Sequence, residues 1–221
     1  MNTEAHLAAG WILAHAAGPE DRRFRTLVTL AAMLPDVDAL SYVLGPEAYG
    51  HIHHSLGHNV FFSLIVSAAS VWLYPRKRWK MFWFTQLAFY SHYFGDYFFT
   101  KFPLLYFWPA SDREFVYSYK IGLDHWINDL LSYLSFVVII VYGTIYHRTP
   151  VEMLSPELDR RIVNLFGRRP LGCHVCGKGA NEACSTCGQP CCMRHAKLGW
   201  GFLVQCSKCA ARRTAIAAVE P

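Results

Sequence analysis

The chain has 221 residues, enough for one medium domain and one small one. Hydrophobic residues make up 53% of it and charged ones only 17%, against about 25% charged in ordinary soluble domains, so a membrane or a very apolar core is expected. The net charge of +5 gives no ground for a nucleic-acid partner, and none is expected.

The N-terminal stretch MNTEAHLAAGW lacks the basic region that opens a cleavable signal peptide, so none is expected. It carries His6, the first residue of a polar set scattered through the apolar part. The Leu27–Leu44 stretch is apolar but interrupted by Pro35, Asp36 and Asp38, which predicts two short helices. Proline suits a first helical turn. The two aspartates there either complement a helix dipole or ligate a metal. His51, His53, His54 and His58 then place four histidines within eight residues. Core packing does not produce that density; a solvated patch is the plain alternative. His54 and His58 are four apart on a helix face, whereas His53 and His58 need a turn between them.

Three segments are membrane-compatible: Asn59 to Tyr74, Met81 to Thr100 and Leu130 to Tyr146. A span needs roughly 20 apolar residues and about 17 at the short end, so the first is marginal and the uncharged third is the strongest. Buried helices of a soluble all-α enzyme are the competing reading. The second segment contains His92 and Asp96, four apart and so on one helix face. A buried carboxylate is costly unless paired or metal-bound, and an ionisable residue inside a membrane segment points to function. A His–Asp pair stapling two helices is the plain alternative. The loop Arg76-Lys77-Arg78-Trp79-Lys80 is basic, and basic loops stay cytoplasmic. From that side Met81–Thr100 leads out and Leu130–Tyr146 leads back in. His15, His147 and the turn Asp112-Arg113-Glu114 read as surface features. Asp124, His125 and Asp129 read as caps of the third span, with Asp124 or His125 also able to complete a site.

After this apolar part, 1–147, the composition changes. A charged connector occupies 148–172, a cysteine-rich module 173–209 and an alanine-rich tail 210–221. All eight cysteines follow residue 172. They form pairs with two intervening residues: Cys173 and Cys176, Cys184 and Cys187, Cys192 with His195, then Cys206 and Cys209. Two residues between ligands form the knuckle that tetrahedral zinc needs, and eight ligands satisfy two structural zinc ions. His174 and Cys191 are left over, and Cys191 could replace Cys192. Gly177 and Gly188 follow the second cysteine of the first two pairs and suit a positive φ. So short a module cannot build a sufficient core, so zinc would supply most of its folding free energy. Reduced thiols fit the cytoplasmic side on which the basic loop also places them.

Two resemblances add to this reading. The cysteine order resembles cross-brace modules of the B-box and RING type. That likeness implies one site from Cys173, Cys176, Cys192 and His195, and another from Cys184, Cys187, Cys206 and Cys209; sequential pairing of neighbouring pairs is the alternative. Over residues 3–117, His6-Leu7, Leu34-Pro35-Asp36-Val37-Asp38, His53, His58, Ser91-His92, Asp96, Thr100, Pro103-Leu104-Leu105 and Trp108-Pro109 fall in a familiar order. In that order the chain resembles the LexA-binding, inner-membrane-associated hydrolases, described also as metal-dependent hydrolases and distantly like zinc-dependent phospholipase C. His54, Gly57 and Asn59 depart from the family's usual Arg, Thr and Ser, and Lys101-Phe102 replaces its glycine turn. The cysteine module is no part of that pattern, and no residue here supports LexA binding.

The expected protein is therefore all-α: a multi-helix membrane-associated domain with a small C-terminal zinc-binding module. It sits in the inner (cytoplasmic) membrane as a multi-pass protein with that module in the cytoplasm. Its expected activity is divalent-metal-dependent hydrolysis of a phosphoester or related bond. His6, Asp36, Asp38, His53, His58, His92 and Asp96 are the candidate ligands, and Asp38, His92 and Asp96 the candidate catalytic groups. Zinc, manganese or iron would suit them, with one or more ions activating water and clamping a phosphoryl group. Membrane lipid and a cytoplasmic protein docked on the zinc module are the expected partners. A non-enzymatic membrane adaptor is the alternative, and a metal transporter the weaker one.

Overall fold

The computed structural model describes residues 1–18, 20–117, 121–165, 172–180, 182–184, 186–187, 189–198 and 204–211. Two compact units emerge: Met1–Ala16 with Leu27–Val138, and Ala17–Thr26 with Ile139–Pro221.

The first unit is helical. Helix α1 (Thr3–Ala16) meets α2 (Arg22–Met33) at Gly10, where a Cβ would lie only 2.7 Å from the Ala32 Cβ and 3.0 Å from the Thr29 Cα. Glycine is what lets the two backbones approach. At Pro35 the chain changes helix type and continues without a break: α2 runs directly into a 3-10 helix, Leu34–Leu44. Proline removes the donor that an α-turn would use, and tighter turns take over. Helix α3 (Pro46–Ile52) follows and packs on this 3-10 helix.

Helices α4 (Val60–Leu73) and α5 (Arg78–Phe99) form a hairpin through a 3-10 turn, Pro75–Lys77. The Asn59 side chain caps α4 by accepting from the Phe62 N–H at 2.8 Å. Buried polar side chains stitch the pair together. Gln86 donates to the Ser63 carbonyl (2.9 Å) and to Ser67 Oγ (2.7 Å), and Thr85 donates to Ser67 Oγ (2.9 Å). Small and polar residues between helices, with apolar residues outside, are the packing used where no water competes. Ile65, Leu87 and Phe94 accordingly face outward. Helix α6 (Trp126–Tyr146) is held at its start by Asn128, which donates to the Phe99 and Gly122 carbonyls (3.0 and 2.9 Å).

By length and composition, two segments among the described residues qualify as membrane spans, Arg22–Leu44 and Trp126–Tyr146, while Val60–Leu73 is apolar but short. The third expected span is thus one of the two. The second expected span is not among them. Met81–Thr100 lies in a helix of 22 residues, but Gln86, His92 and Asp96 dilute its apolarity. The α2–3-10 run is apolar enough despite Asp36 and Asp38.

In the second unit, Arg25 forms a buried two-pronged ion pair with Glu152 (2.6 and 2.8 Å) and also donates to the Glu20 carbonyl. Arg22 reaches the Met153 carbonyl at 3.0 Å. These contacts place Ala17–Thr26 with the C-terminal unit. Asp159 on α7 (Pro156–Leu165) accepts from the Thr149 N–H and hydroxyl at 2.7 and 2.6 Å. The cysteine region holds two antiparallel two-stranded sheets. Strand β1 (Glu182–Ala183) pairs with β2 (Pro190–Cys191), and β3 (Ala196–Leu198) pairs with β4 (Val204–Cys206). Gly177 has φ +72, as its knuckle requires. Gly188, residues 166–171 of the connector and 212–221 of the tail lie outside the described residues.

Candidate metal centres

The His/Asp set is assembled from four parts of the first unit: α1, the 3-10 helix, the 53–58 loop and α5. One helical turn puts His92 Nε2 at 2.8 Å from Asp96 Oδ2. His58 Nε2 reaches the same oxygen at 3.2 Å and lies 3.0 Å from His92 Nε2. Asp36 Oδ1 completes the group at 3.5 Å from His92 and 3.8 Å from His58. Four ligand atoms, from Asp36, His58, His92 and Asp96, thereby lie within 4.8 Å of one another. A tetrahedral ion with nitrogen and oxygen ligands at about 2.0–2.1 Å would separate them by about 3.3–3.4 Å. The five separations straddle that value, so the donor set fits a divalent ion.

Ring orientation points the same way. His92 Nδ1 is 2.7 Å from the Ala32 carbonyl, which only accepts, so Nδ1 carries the proton. His58 Nδ1 is 3.0 Å from Asp38 Oδ2 and donates to it. In each neutral ring Nε2 is then a lone pair, and the two lone pairs face each other at 3.0 Å. A shared proton or a cation resolves that opposition. A cation also answers the two converging carboxylates. Tying the far nitrogen to an oxygen is how ligating histidines are held.

The other expected residues surround this group. His6 Nε2 is 3.1 Å from Asp96 Oδ1, and its ring stacks on His92 at 3.6 Å between centroids. Burial, and then the neighbouring His92, lower its pKa, which leaves it neutral. The Met1 amine also reaches Asp96 Oδ1, at 2.5 Å. Asp38 accepts four hydrogen bonds, from His53 Nδ1 (2.8 Å), the His54 N–H (3.1 Å), the Gly57 N–H (3.0 Å) and His58 Nδ1. It pins the whole 53–58 loop. Gly57 is held so close that a Cβ there would lie 2.1 Å from the Pro35 carbonyl oxygen. His54 is buried with a left-handed φ of 69. Its pKa is lowered to about 3 by burial, then by His58 and His53. The side chain of His51 lies outside the described residues.

A cleft of about 610 Å³ opens over the group. Asp36, Asp96, His53 and His54 line it, with Leu30, Val37, Leu40 and Phe102 among its apolar walls. His58, His92 and Asp96 are buried while the Asp36 side chain is 25% exposed, so the group is open on the cleft side. Asp124 and Asp129 are exposed, and His125 Nδ1 accepts from the Ile127 N–H at 3.3 Å at the start of α6; none of the three joins the group. His15 and His147 are half-buried, while Asp112, Arg113 and Glu114 are exposed.

In the cysteine region two further groups gather, Cys173 with Cys176, Cys192 and His195, and Cys184 with Cys187, Cys206 and Cys209. The pairs interleave. Sulfur ligands at about 2.3 Å from a tetrahedral zinc lie about 3.7–3.8 Å apart. Cys176 and Cys192 are 3.7 Å apart, and Cys187 and Cys206 are 3.9 Å apart. Burial opposes the Cys173 thiolate, but the N–H groups of Cys192, Val175 and Cys176 outweigh it and hold its pKa at about 6. Cys184 is held at about 6 in the same way by the N–H groups of Cys206, Cys187 and Thr186. Cys191 is buried on β2 and belongs to neither group, while His174 Nδ1 donates to the Pro190 carbonyl at 2.9 Å.

Two features of the His/Asp group escape sequence reasoning. One is the Ala32 carbonyl, a backbone atom that leaves no mark in the sequence. The other is the fourfold engagement of Asp38, which depends on how the 53–58 loop closes.

Comparison with known proteins gives one match. The pattern of a family described as YdjM inner membrane protein covers residues 1–154, which include every residue of the His/Asp group and exclude the cysteine groups. No curated protein and no solved structure matches the chain.

Proposed function

The chain belongs to the YdjM inner membrane protein family, and from that we propose a membrane-bound hydrolase working with a divalent metal held by Asp36, His58, His92 and Asp96. The observation that carries this reading is the facing pair of Nε2 atoms, 3.0 Å apart between two carboxylates, beneath an open cleft. A structural zinc site is closed, whereas a catalytic one keeps an open position. When bound, the metal would supply Lewis acidity and lower the pKa of water.

The remaining side chains divide the work around it. Asp38 positions His58 and the 53–58 loop; with four donors on its two oxygens it has little capacity left to act as a base. His53 lines the cleft while its Nδ1 is held by Asp38, which makes its ring the better candidate for moving a proton on the substrate side. His6 holds the second oxygen of Asp96. A phosphoester or related bond is the substrate class proposed.

The proposal includes a topology. The protein is multi-pass: with α5 and α6 both crossing, the basic α4–α5 turn and the cysteine region both lie in the cytoplasm, and the two cysteine groups bind structural zinc. That module stabilises the chain or docks a cytoplasmic partner. The test is a panel of phosphomonoesters, phosphodiesters and carboxylic esters offered to the full chain in detergent with zinc, manganese or iron. Turnover that disappears in His92→Ala supports the enzyme. No turnover on any substrate by a fully metal-loaded protein would sink it, and the adaptor reading would take its place.

A further inference from the structure

We propose that the tip of the α4–α5 hairpin binds the headgroup of anionic phospholipid. Arg76, Lys77, Arg78 and Lys80 place four cations within five residues, and no acidic residue occurs between Glu47 and Asp96. The 3-10 turn Pro75–Lys77 and the start of α5 gather these cations at one end of the hairpin. Arg76, Lys77 and Arg78 are exposed and Lys80 is half-buried.

Charge alone would describe any solvated loop. The second observation is aromatic. Trp72, Trp79 and Trp83 flank the same turn and are 80%, 66% and 60% exposed. Three indoles facing water would be unfavourable, but at a bilayer interface each ring sits in the apolar boundary with its N–H in the headgroup layer. The Arg78 guanidinium lies 6.0 Å from the Trp79 ring centroid, and the Lys80 ammonium 6.0 Å from that of Phe84. Both cations lie over aromatic rings of the same tip. Below the tip the outward faces of both helices are apolar, through Ile65, Leu87 and Phe94. The chain belongs to an inner-membrane family, so the surface beside this tip is a lipid leaflet, and the matching ligand is a phosphate-bearing headgroup with net negative charge. Basic residues beside a membrane attract such lipids. The inference rests on the family and on the hairpin, not on the metal site.

The test uses the full chain reconstituted in phosphatidylcholine vesicles with trace spin-labelled lipid. Spin-labelled phosphatidylglycerol should be immobilised several-fold more strongly than spin-labelled phosphatidylcholine, and high salt should shrink the difference. Each cation removed should weaken the preference about fivefold. The double variant Arg76→Gln/Lys77→Gln, confined to the exposed turn, should therefore lose most of it, and Trp79→Ala should weaken both lipids. Equal immobilisation of the two lipids by the wild type, or an unchanged preference in the double variant, overturns the proposal. So does complete displacement of the labelled phosphatidylglycerol by millimolar inorganic phosphate, since that would identify a site for the free anion.

Discussion

The cysteine groups and the His/Asp group are built in opposite ways. Each cysteine group takes two ligand pairs with two residues inside each pair, so half of a site is a single local turn. The strands around them are two or three residues long, and the buried cluster among the described residues there is made of the cysteines themselves. The His/Asp group draws Asp36 from a 3-10 helix, His58 from a loop, and His92 and Asp96 from α5, with His6 and Asp38 supporting from outside. Here the helices bring the ligands together. In the first case a bound metal would make the fold, and in the second the fold assembles the donors that a metal would need.

The largest expected break in that comparison is metal removal. A strong chelator should unfold the cysteine region, because structural zinc contributes about 10–16 kcal/mol in small zinc modules. The helical unit should keep its far-ultraviolet circular dichroism. Limited proteolysis should then cut beyond residue 172 first; a collapse of the helical signal instead would mean that the His/Asp group is also structural.

Glu152→Ala comes next. It removes both carboxylate contacts of the buried Arg25 guanidinium, a loss of about 3–5 kcal/mol. Denaturant unfolding should register that cost, with the metal content of the His/Asp group unchanged, since the pair belongs to the second unit and that group to the first. Gly57→Ala should cost about 1–3 kcal/mol through overpacking, because its Cβ would meet the Pro35 carbonyl at 2.1 Å. Unlike Glu152→Ala, it should also loosen the His/Asp metal, as Gly57 and His58 share the Asp38 clasp. Asp38→Asn is the most selective change. Removing the partner of a ligating histidine typically costs 10–100-fold in metal affinity, and isothermal titration should find that loss in the His/Asp site while the cysteine groups bind unaltered.

The same contrast explains what could be read from the sequence. The cysteine pairs and the Gly177 turn depend on neighbours along the chain, and their spacing announces them. The His92–Asp96 pair is equally local, one helical turn. His6, Asp36 and His58 stand out as candidates in the sequence, but which of them join that pair is a matter of tertiary structure. The loop closure that sets Asp38 against four donors, His53 among them, is invisible at the level of composition. The two short helices expected around Pro35 are an α-helix ending at Met33 and a 3-10 helix beginning at Leu34. Proline ends an α-helical hydrogen-bond pattern, yet a 3-10 helix carried the apolar run onward to Leu44.

Elemental analysis of the full chain purified in detergent tests the central claim most directly. The wild type should contain at least one divalent ion more than Asp96→Ala, and both should keep the two zinc ions of the cysteine groups. Equal metal content in the two proteins would contradict the account and leave the His/Asp group as a hydrogen-bonded staple between helices.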